Sequence, residues 1–419
     1  EPSLATIINS YSEAWDSDTQ SFRDESFLDE CKFSSLRASL PSLMQDFLAF
    51  MPKKEIDAEK EYGFIEKRDL YVDSENPTKI FLRADLHGDL KSLIENLKKL
   101  QEKGLLDENF KCMPGVQIVF LGDFTDRGIY NFQILDLLLK LKLQNPNQVH
   151  LIRGNHESPE MHCRYNERDQ LFASFVKSHE SLFNELYEQF PLAIYFSSKT
   201  ETQDHREYIL CSHALFDVAV DPSELIDSPH EEVYMKIPKE QKLSERMLSI
   251  IADKDHPLHK QAKRIQTIVN EIFLFLVRGN VFGTQYNWGD IAKALDIETL
   301  ENIEETLSRI SPHRGIILSA RDIENYFDCS SDTHKVKKLI RGHEHGYRKT
   351  RSVKHPEDII AYTLSVGSNS YEGYQYRYGY TDISMVIDLQ PLIANSPIEL
   401  IRRESESDLL LSIDKFVCI

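Results

Sequence analysis

The feature that most constrains this chain is a rhythm running from residue 79 to residue 155. Short apolar runs alternate with helix-period stretches, and each run breaks off into Asp, His, Asn or Arg. KIFLRAD (79–85), VQIVFLGD (116–123) and VHLIRGN (149–155) read as buried strands. LKSLIENLKKL (90–100) and NFQILDLLLKLKL (131–143), which lie between them, carry the spacing of amphipathic helices. Strand–helix–strand units of this length predict an at least partly parallel sheet. Sites in such sheets lie beyond the carboxyl ends of the strands, which is where the polar clusters fall.

The rest of the chain continues the pattern, interrupts it and resumes it, without an internal repeat. Helical sequence covers about 166–188, and REYILCSH (206–213) is another strand ending in a histidine. KEQKLSERMLSIIAD (239–253) and LHKQAKRIQTIVNEIFLFLVR (258–278) are helical stretches separated by DKDHP, which predicts an inserted αα-hairpin. Strand signals return in VKKLIRGH (336–343), EDIIAYTLSV (357–366) and TDISMVIDL (381–389). Toward the start, Leu36, Leu40, Leu43, Met44, Phe47 and Leu48 mark an amphipathic helix, whereas KKEIDAEKEYGFIEKRDL (53–70) reads as a solvated helix face or linker. The expected fold class is α/β (mixed α+β). The expected organisation is an N-terminal helical segment (1–75), a main domain (76–395) with a hairpin insertion at about 225–280, and a C-terminal arm (396–419) that docks or frays.

Composition excludes several functions. With 49 Lys and Arg against 68 Asp and Glu, the net charge of −19 repels nucleic acid and anionic membrane, so neither is an expected partner. No run of eighteen apolar residues occurs; the longest, Ile272 to Val277, is too short for an integral membrane segment. The six cysteines form no CxxC pair, which reads as reduced thiols in a reducing, cytoplasmic-type compartment. Cys163 has no Cys-x5-Arg loop and is not expected to be a nucleophile.

The strand-end clusters are Asp85-Leu86-His87-Gly88, Gly122-Asp123-Phe124-Thr125-Asp126-Arg127-Gly128, Arg153-Gly154-Asn155-His156-Glu157, and the histidines His213 and His343. Two adjacent divalent metals need a bridging carboxylate and further N and O ligands. An Asp and a His flanking one residue at a strand end can reach one metal, an Asp after the next strand can bridge, and an Asn oxygen with two later histidines can complete a second. No thiolate is involved, so the donor set suits Mn, Fe, Zn or Mg.

This constellation resembles the phosphoprotein phosphatase (PPP) family of binuclear metallophosphatases. The likeness rests on DLHGD, GDFTDRG, RGNHE, SH and RGHE in order over residues 79 to about 389, the middle two motifs being specific. It implies a central β-sandwich flanked by helices, with Asp85 and His87 on one metal, Asp123 bridging, and Asn155, His213 and His343 on the other. The most expected metal is Mn²⁺, with Fe, Zn or Mg as alternatives. A hydroxide between the metals would attack phosphorus in line, His156 would protonate the leaving oxygen under the guidance of Asp126, and Arg127 would grip phosphate together with Asn155. A second phosphate-binding arginine of the family is assigned to Arg278. Tyr286-Asn287-Trp288-Gly289-Asp290 is similar to the family's WSDP motif, and Arg314-Gly315 to its RG-x-x-x-x-F stretch. Departures lie at the substrate mouth: Ala84 precedes Asp85 where the family has Gly, His213-Ala214-Leu215 replaces HGG, and SVGSNSYEG (365–373) only loosely matches SAPNYCG. Bacterial effector phosphatases of the Wip type look similar, which implies translocation into a host cytosol.

The function so implied is phosphomonoester hydrolysis on phosphoserine/threonine or phosphotyrosine proteins. Two alternatives stand beside it: a hydrolase of small molecules such as dinucleoside polyphosphates, and a scaffold using the helical insertion as a docking surface. Other residues have plainer expectations. Glu157 ties down Arg or backbone groups, Arg153 is a structural cation, Asp89 caps a helix, His345 lies near the ligands or at the surface, His162 and Arg164 line the groove or the surface, and Tyr371, Tyr374, Tyr376, Tyr378 and Tyr380 form an aromatic strand face or a substrate loop.

Overall fold

The sheet-building runs of the sequence become two sheets packed face to face in a computed structural model. It describes residues 3–16, 21–22, 30–72, 78–165, 169–199, 206–239, 243–277, 290–291, 309–311, 315–344, 348–355, 358–364 and 383–402. The strands of these two sheets are β1 (Glu61–Tyr71), β2 (Thr78–Arg83), β3 (Val116–Phe120), β4 (Val149–Leu151), β5 (Ala193–Lys199), β6 (Glu207–Ser212), β7 (Glu232–Pro238), β8 (Lys335–Arg341), β9 (Arg348–Arg351), β10 (Ile359–Thr363), β11 (Ile383–Leu389) and β12 (Ile398–Arg402). A five-stranded sheet has the order β12-β11-β2-β3-β4, with β2, β3 and β4 parallel as the early rhythm predicts. A seven-stranded sheet has the order β9-β10-β8-β6-β5-β1-β7, with parallel β6-β8-β10 and β1-β5 pairs and antiparallel β5-β6, β1-β7 and β9-β10 pairs.

Strand alternation sorts the core into three layers. Ile80 and Leu82 of β2, Val119 of β3, Ile209 and Cys211 of β6 and Ile340 of β8 meet between the sheets. Their neighbours Phe81, Ile118 and Phe120 turn outward to helices α1 (Leu4–Ala14), α2 (Glu30–Phe50), α3 (Leu90–Glu102), α4 (Asn131–Gln144), α6 (Gln170–Ser178) and α7 (Glu180–Glu188). The short helix α5 (Pro159–Tyr165) follows β4. The predicted N-terminal stripe is real, since Leu40, Met44 and Phe47 of α2 are buried in this layer.

The opposite flank holds the predicted hairpin, α8 (Glu245–Ala252) and α9 (His259–Val277), against α10 (Ala320–Cys329). Met247, Ile250, Ala262, Ile265, Ile268 and Val269 are buried there with Tyr208, Leu210 and Leu339. The described part of the hairpin's apolar face is therefore core. Arg264 locks it to α10 by a two-pronged bond to Asp322, Nε to Oδ1 at 3.0 Å and Nη2 to Oδ2 at 3.2 Å.

Two stretches differ from expectation. The charged run at 53–70 is no solvated face: Glu61–Tyr71 is an internal strand, so the sheet draws on residues assigned to the N-terminal helical segment. Its buried charges compensate one another. Lys67 Nζ lies 3.4 Å from Asp69 and donates to Ser228 O at 2.6 Å, while Asp69 also accepts from Ser197 Oγ and Arg206. The region assigned to the insertion at about 225–280 opens with β7, an edge strand on β1, before the hairpin begins. The first residues of the C-terminal arm do dock, as β12 pairs antiparallel with β11. No helix of the described residues is long and apolar enough to cross a membrane.

Candidate active site

The carboxyl ends of β2, β3, β4, β6 and β8 carry Asp85 and His87, Asp123, Asn155 and His156, His213, and His343 to one buried point. Each is no more than 7% exposed. Backbone bonds stitch the loops together first: Leu86 N and His87 N donate to Asp123 O at 2.9 Å, and Gly342 N donates to His213 O at 2.9 Å. Close approach then requires glycine at two positions. A Cβ on Gly154 would lie 2.3 Å from Asp123 Oδ1, and one on Gly342 would lie 2.3 Å from Asp85 Oδ1. Seven non-glycine residues among those described have positive φ, and five of them, His87, Asp123, Asp126, Arg127 and His343, stand here. Backbone strain of this kind persists where surrounding bonds enforce it.

Hydrogen bonds decide which atom of each side chain faces the centre. His87 Nδ1 donates to Thr125 O at 3.1 Å and His213 Nδ1 to Leu121 O at 2.9 Å, so both present Nε2. His343 presents Nδ1, 3.0 Å from Asn155 Oδ1 and 3.2 Å from His213 Nε2. Asp123 Oδ1 accepts from His156 N at 2.9 Å, which leaves Oδ2 facing His213 Nε2 at 3.3 Å and His87 Nε2 at 3.6 Å. Asp85 Oδ1 accepts from His343 N at 3.1 Å, and its Oδ2, 3.8 Å from His87 Nε2, has no hydrogen-bond partner.

This donor set fits a pair of divalent cations. Acceptor atoms of Asp123, Asn155, His213 and His343 crowd to 2.9–3.3 Å of one another. Ligands about 2.1 Å from one ion are separated by about 3.0–3.4 Å, depending on whether the geometry is octahedral or tetrahedral. Donor atoms so placed match the spacing of ligands on a shared cation. Two groups of His and Asp, one of His87, Asp123 and His156 and one of Asp123, His213 and His343, share Asp123. Charge within the chain alone points the same way. Burial works to raise the Asp123 carboxyl, but His213, His156 and His87 hold it well below the usual carboxylate range. Burial opposes charge on His213, yet Asp123 and then Asp85 and Glu157 push it up to about 9.

Beside this centre, His156 Nδ1 donates to Asp126 Oδ2 at 2.7 Å, and Arg127 Nη2 lies 3.2 Å from His156 Nε2. Glu157 clasps the loops through backbone groups, its Oε2 accepting from Asp123 N at 2.8 Å and Gly154 N at 2.7 Å and its Oε1 from Phe124 N at 2.9 Å. Arg153 Nε donates to Glu157 O at 3.3 Å, and Asp89 caps α3 through Ser92 N. His162 corrects the reading that it lines a groove or the surface. It is fully buried, with Nδ1 2.6 Å from Asp126 Oδ1 and Nε2 2.7 Å from Tyr187 Oη, because α5 folds back over the loop. Arg164 on the same helix is exposed and pairs with Glu160. Asn131, which the sequence did not flag, accepts from Asp126 N at 2.9 Å; nothing in its helix-start context marks that role. Arg278, Arg314, His345 and the stretches 286–289 and 365–380 lie outside the described residues.

The calcineurin-like phosphoesterase family profile matches residues 78–347. Over 145 residues, 34% of the chain, the sequence is 30% identical to a serine/threonine-protein phosphatase of Caenorhabditis elegans, 27% of which is covered. Over 139 residues, 33% of the chain, it is 30% identical to the PP2A-like serine/threonine-protein phosphatase PPG1 of Saccharomyces cerevisiae, 32% of which is covered. The chain thus spans less than a third of the length of these two curated relatives. A solved structure of a Saccharomyces cerevisiae protein serine/threonine phosphatase with similarity to human phosphatase PP5 superposes with a TM-score of 0.50 at 16% identity, covering 91% of this chain and 96% of that one; the likeness is one of fold. The matched residues enclose every strand-end donor from Asp85 to His343, and the chain belongs to the calcineurin-like phosphoesterase family.

Proposed function

We propose that the chain is a metal-dependent phosphoprotein phosphatase that cleaves phosphoserine and phosphothreonine monoesters. The observation that carries this reading is the Asp123 carboxylate, whose Oδ2 faces both histidine groups while Asp126, His156 and Arg127 stand alongside. Asp85, His87 and Asp123 would hold one cation, and Asp123, Asn155, His213 and His343 the other. When bound, such a pair supplies an activated water and neutralises charge on the phosphate oxygens. The chain's own residues do the rest. Arg127 binds phosphate through its fork of donors, with the Asn155 amide beside it. His156 keeps its Nδ1 proton on Asp126, so its Nε2 proton is the one available to the departing serine or threonine oxygen. Arg127 Nη2 lies 3.2 Å from His156 Nε2, so the phosphate-binding cation and the proton donor stand side by side. The long-range repulsion of a chain with net charge −19 makes such a local cation necessary for an anionic substrate.

The experiment is turnover of p-nitrophenyl phosphate with Mn²⁺, followed by a panel of phosphoserine, phosphothreonine and phosphotyrosine peptides with diadenosine tetraphosphate. Chelation, Asp123→Ala and His156→Ala should each abolish or nearly abolish activity. Normal turnover by both variants rejects the assignment. Preference for phosphotyrosine or the dinucleotide replaces the substrate class while keeping the chemistry.

A further inference from the structure

His162 is a buried titratable group that the mechanism above leaves unused. It lies on α5, six residues beyond His156 in the chain, and its ring is enclosed by Phe172, Phe183 and Tyr187 at centroid distances of 5.4, 6.1 and 5.7 Å. No part of it reaches solvent. Its two nitrogens are both engaged, one by Asp126 and one by Tyr187.

We propose that His162 is a positioning residue for the acid–base dyad, holding the Asp126 carboxylate in the one rotation that aims the His156 ring at the leaving oxygen. The inference rests on the reading of His156 as the proton donor. An Asp side chain turns freely about its last bond, where the energy profile is broad and two-fold. A single bond to His156 leaves that rotation open, because the carboxylate and the imidazole can swing together. A second donor on the other oxygen removes the freedom. Asp126 has this arrangement: Oδ2 accepts from His156 Nδ1 at 2.7 Å and Oδ1 from His162 Nδ1 at 2.6 Å. Both contacts are in the short range of charge-assisted bonds.

The polarity of the chain is set by what each atom can do. An ionised carboxylate only accepts, so both histidines present N–H at Nδ1. The far edge of the ring is held as well, with His162 Nε2 2.7 Å from the Tyr187 hydroxyl. Tyr187 is itself fully buried on α7, so the anchor at the far end is as fixed as the helix. Asn131 holds the Asp126 backbone from the other side, N to Oδ1 at 2.9 Å, and the backbone there has φ 73°. Backbone position and carboxylate rotation are thus pinned by different residues, and His162 supplies the second pin.

The test is a series of aryl phosphates whose leaving groups grow poorer, from 2,4-dinitrophenyl through p-nitrophenyl to phenyl phosphate, run with the metal-loaded full chain. A poorer leaving group depends more on proton donation. His156→Ala is the benchmark: it should lose far more on phenyl than on 2,4-dinitrophenyl phosphate. His162→Phe keeps the ring packing but removes the donor. Its kcat should fall about 10–100-fold on phenyl phosphate and less than about threefold on 2,4-dinitrophenyl phosphate, a fraction of what general acid catalysis supplies. His162→Asn returns an N–H near the Nδ1 position and should recover most of the loss. A loss equal on all three substrates, no loss, or no recovery with Asn overturns the proposal. Tyr187→Phe removes only the hydroxyl and decides the matter if His162→Phe does not fold: a loss that grows with poorer leaving groups supports the relay, and a flat or absent loss overturns it. If His156→Ala itself shows no such gradient, the proton-donor reading fails and the proposal falls with it. A gradient in His156→Ala but not in the His162 variants sinks this inference alone.

Discussion

Replacing Gly154 by Ala adds one methyl group against the most important carboxylate of the site. That Cβ would lie 2.3 Å from Asp123 Oδ1, 2.5 Å from Asp123 N and 2.7 Å from Glu157 Oε2. Carbon and oxygen rest at about 3.3 Å or more, so the Asp123 carboxylate must retreat by about 1 Å. Metal–ligand distances tolerate about 0.2 Å, so the required shift is about five times what a bound ion accepts. Asp123 N cannot move without opening the clasp made by Glu157 on three backbone N–H groups. Overpacking of this kind costs about 1–3 kcal/mol of stability, and a disturbed ligand shell costs about 10–100-fold in metal affinity. Gly104→Ala is the control: Gly104 has φ +67° but nothing within 4 Å of its added Cβ. It should cost about 1–2 kcal/mol from left-handed backbone strain and leave the site alone. The assay is Mn²⁺ titration calorimetry with p-nitrophenyl phosphate turnover and urea unfolding for both variants. Gly154→Ala should lose metal binding and turnover, while Gly104→Ala loses only stability. Two equivalents of Mn²⁺ bound normally by Gly154→Ala, with kcat close to that of the unaltered chain, would refute the placement of Asp123 between two cations.

Three further outcomes are expected. Arg127→Lys removes the planar fork and should lower kcat/KM about 10²-fold, as loss of one transition-state donor does; a change below threefold in steady-state kinetics would remove Arg127 from the phosphate site. Arg264→Ala strips the buried Asp322 of its guanidinium and should cost about 1–3 kcal/mol in urea unfolding; an unchanged midpoint would mean that apolar packing alone seats the hairpin. Lys142 is buried with its Nζ on Pro146 O and Val149 O at 2.6 and 2.7 Å, and burial followed by the Arg68 charge pushes it down to about 8 from 10.5. The folded state therefore releases this proton first, so the chain should gain stability relative to Lys142→Met as pH rises from about 8 to the ordinary lysine range; a flat difference in denaturation midpoints over that window would contradict it.

The positions of the strand-end donors were legible because a strand end is a local event. Apolar runs stop, and the next polar residues project from the carboxyl edge, so Asp85, Asp123, Asn155, His213 and His343 could be picked out one strand at a time. The hairpin was legible for the same reason, since helical period is a short-range property. Glu61–Tyr71 was not, because Lys67, Asp69 and Arg206 neutralise one another across strands that are far apart in the chain, and alternation in β1 is hidden by charges that look solvated. Nor could sequence choose between ring nitrogens. His343 turns Nδ1 inward while His87 and His213, whose Nδ1 atoms donate to the Thr125 and Leu121 carbonyls, turn Nε2 inward. His162 looked like one more polar residue after a motif; only the return of α5 placed it on Asp126. What the residue order alone determined is which chemistry the chain can hold, because residue type and strand rhythm are written locally. Which atoms meet, and which charges cancel, was decided by contacts between segments far apart in the chain, such as His343 N on Asp85 Oδ1 across 258 residues, and those exist only once the two sheets have closed on each other.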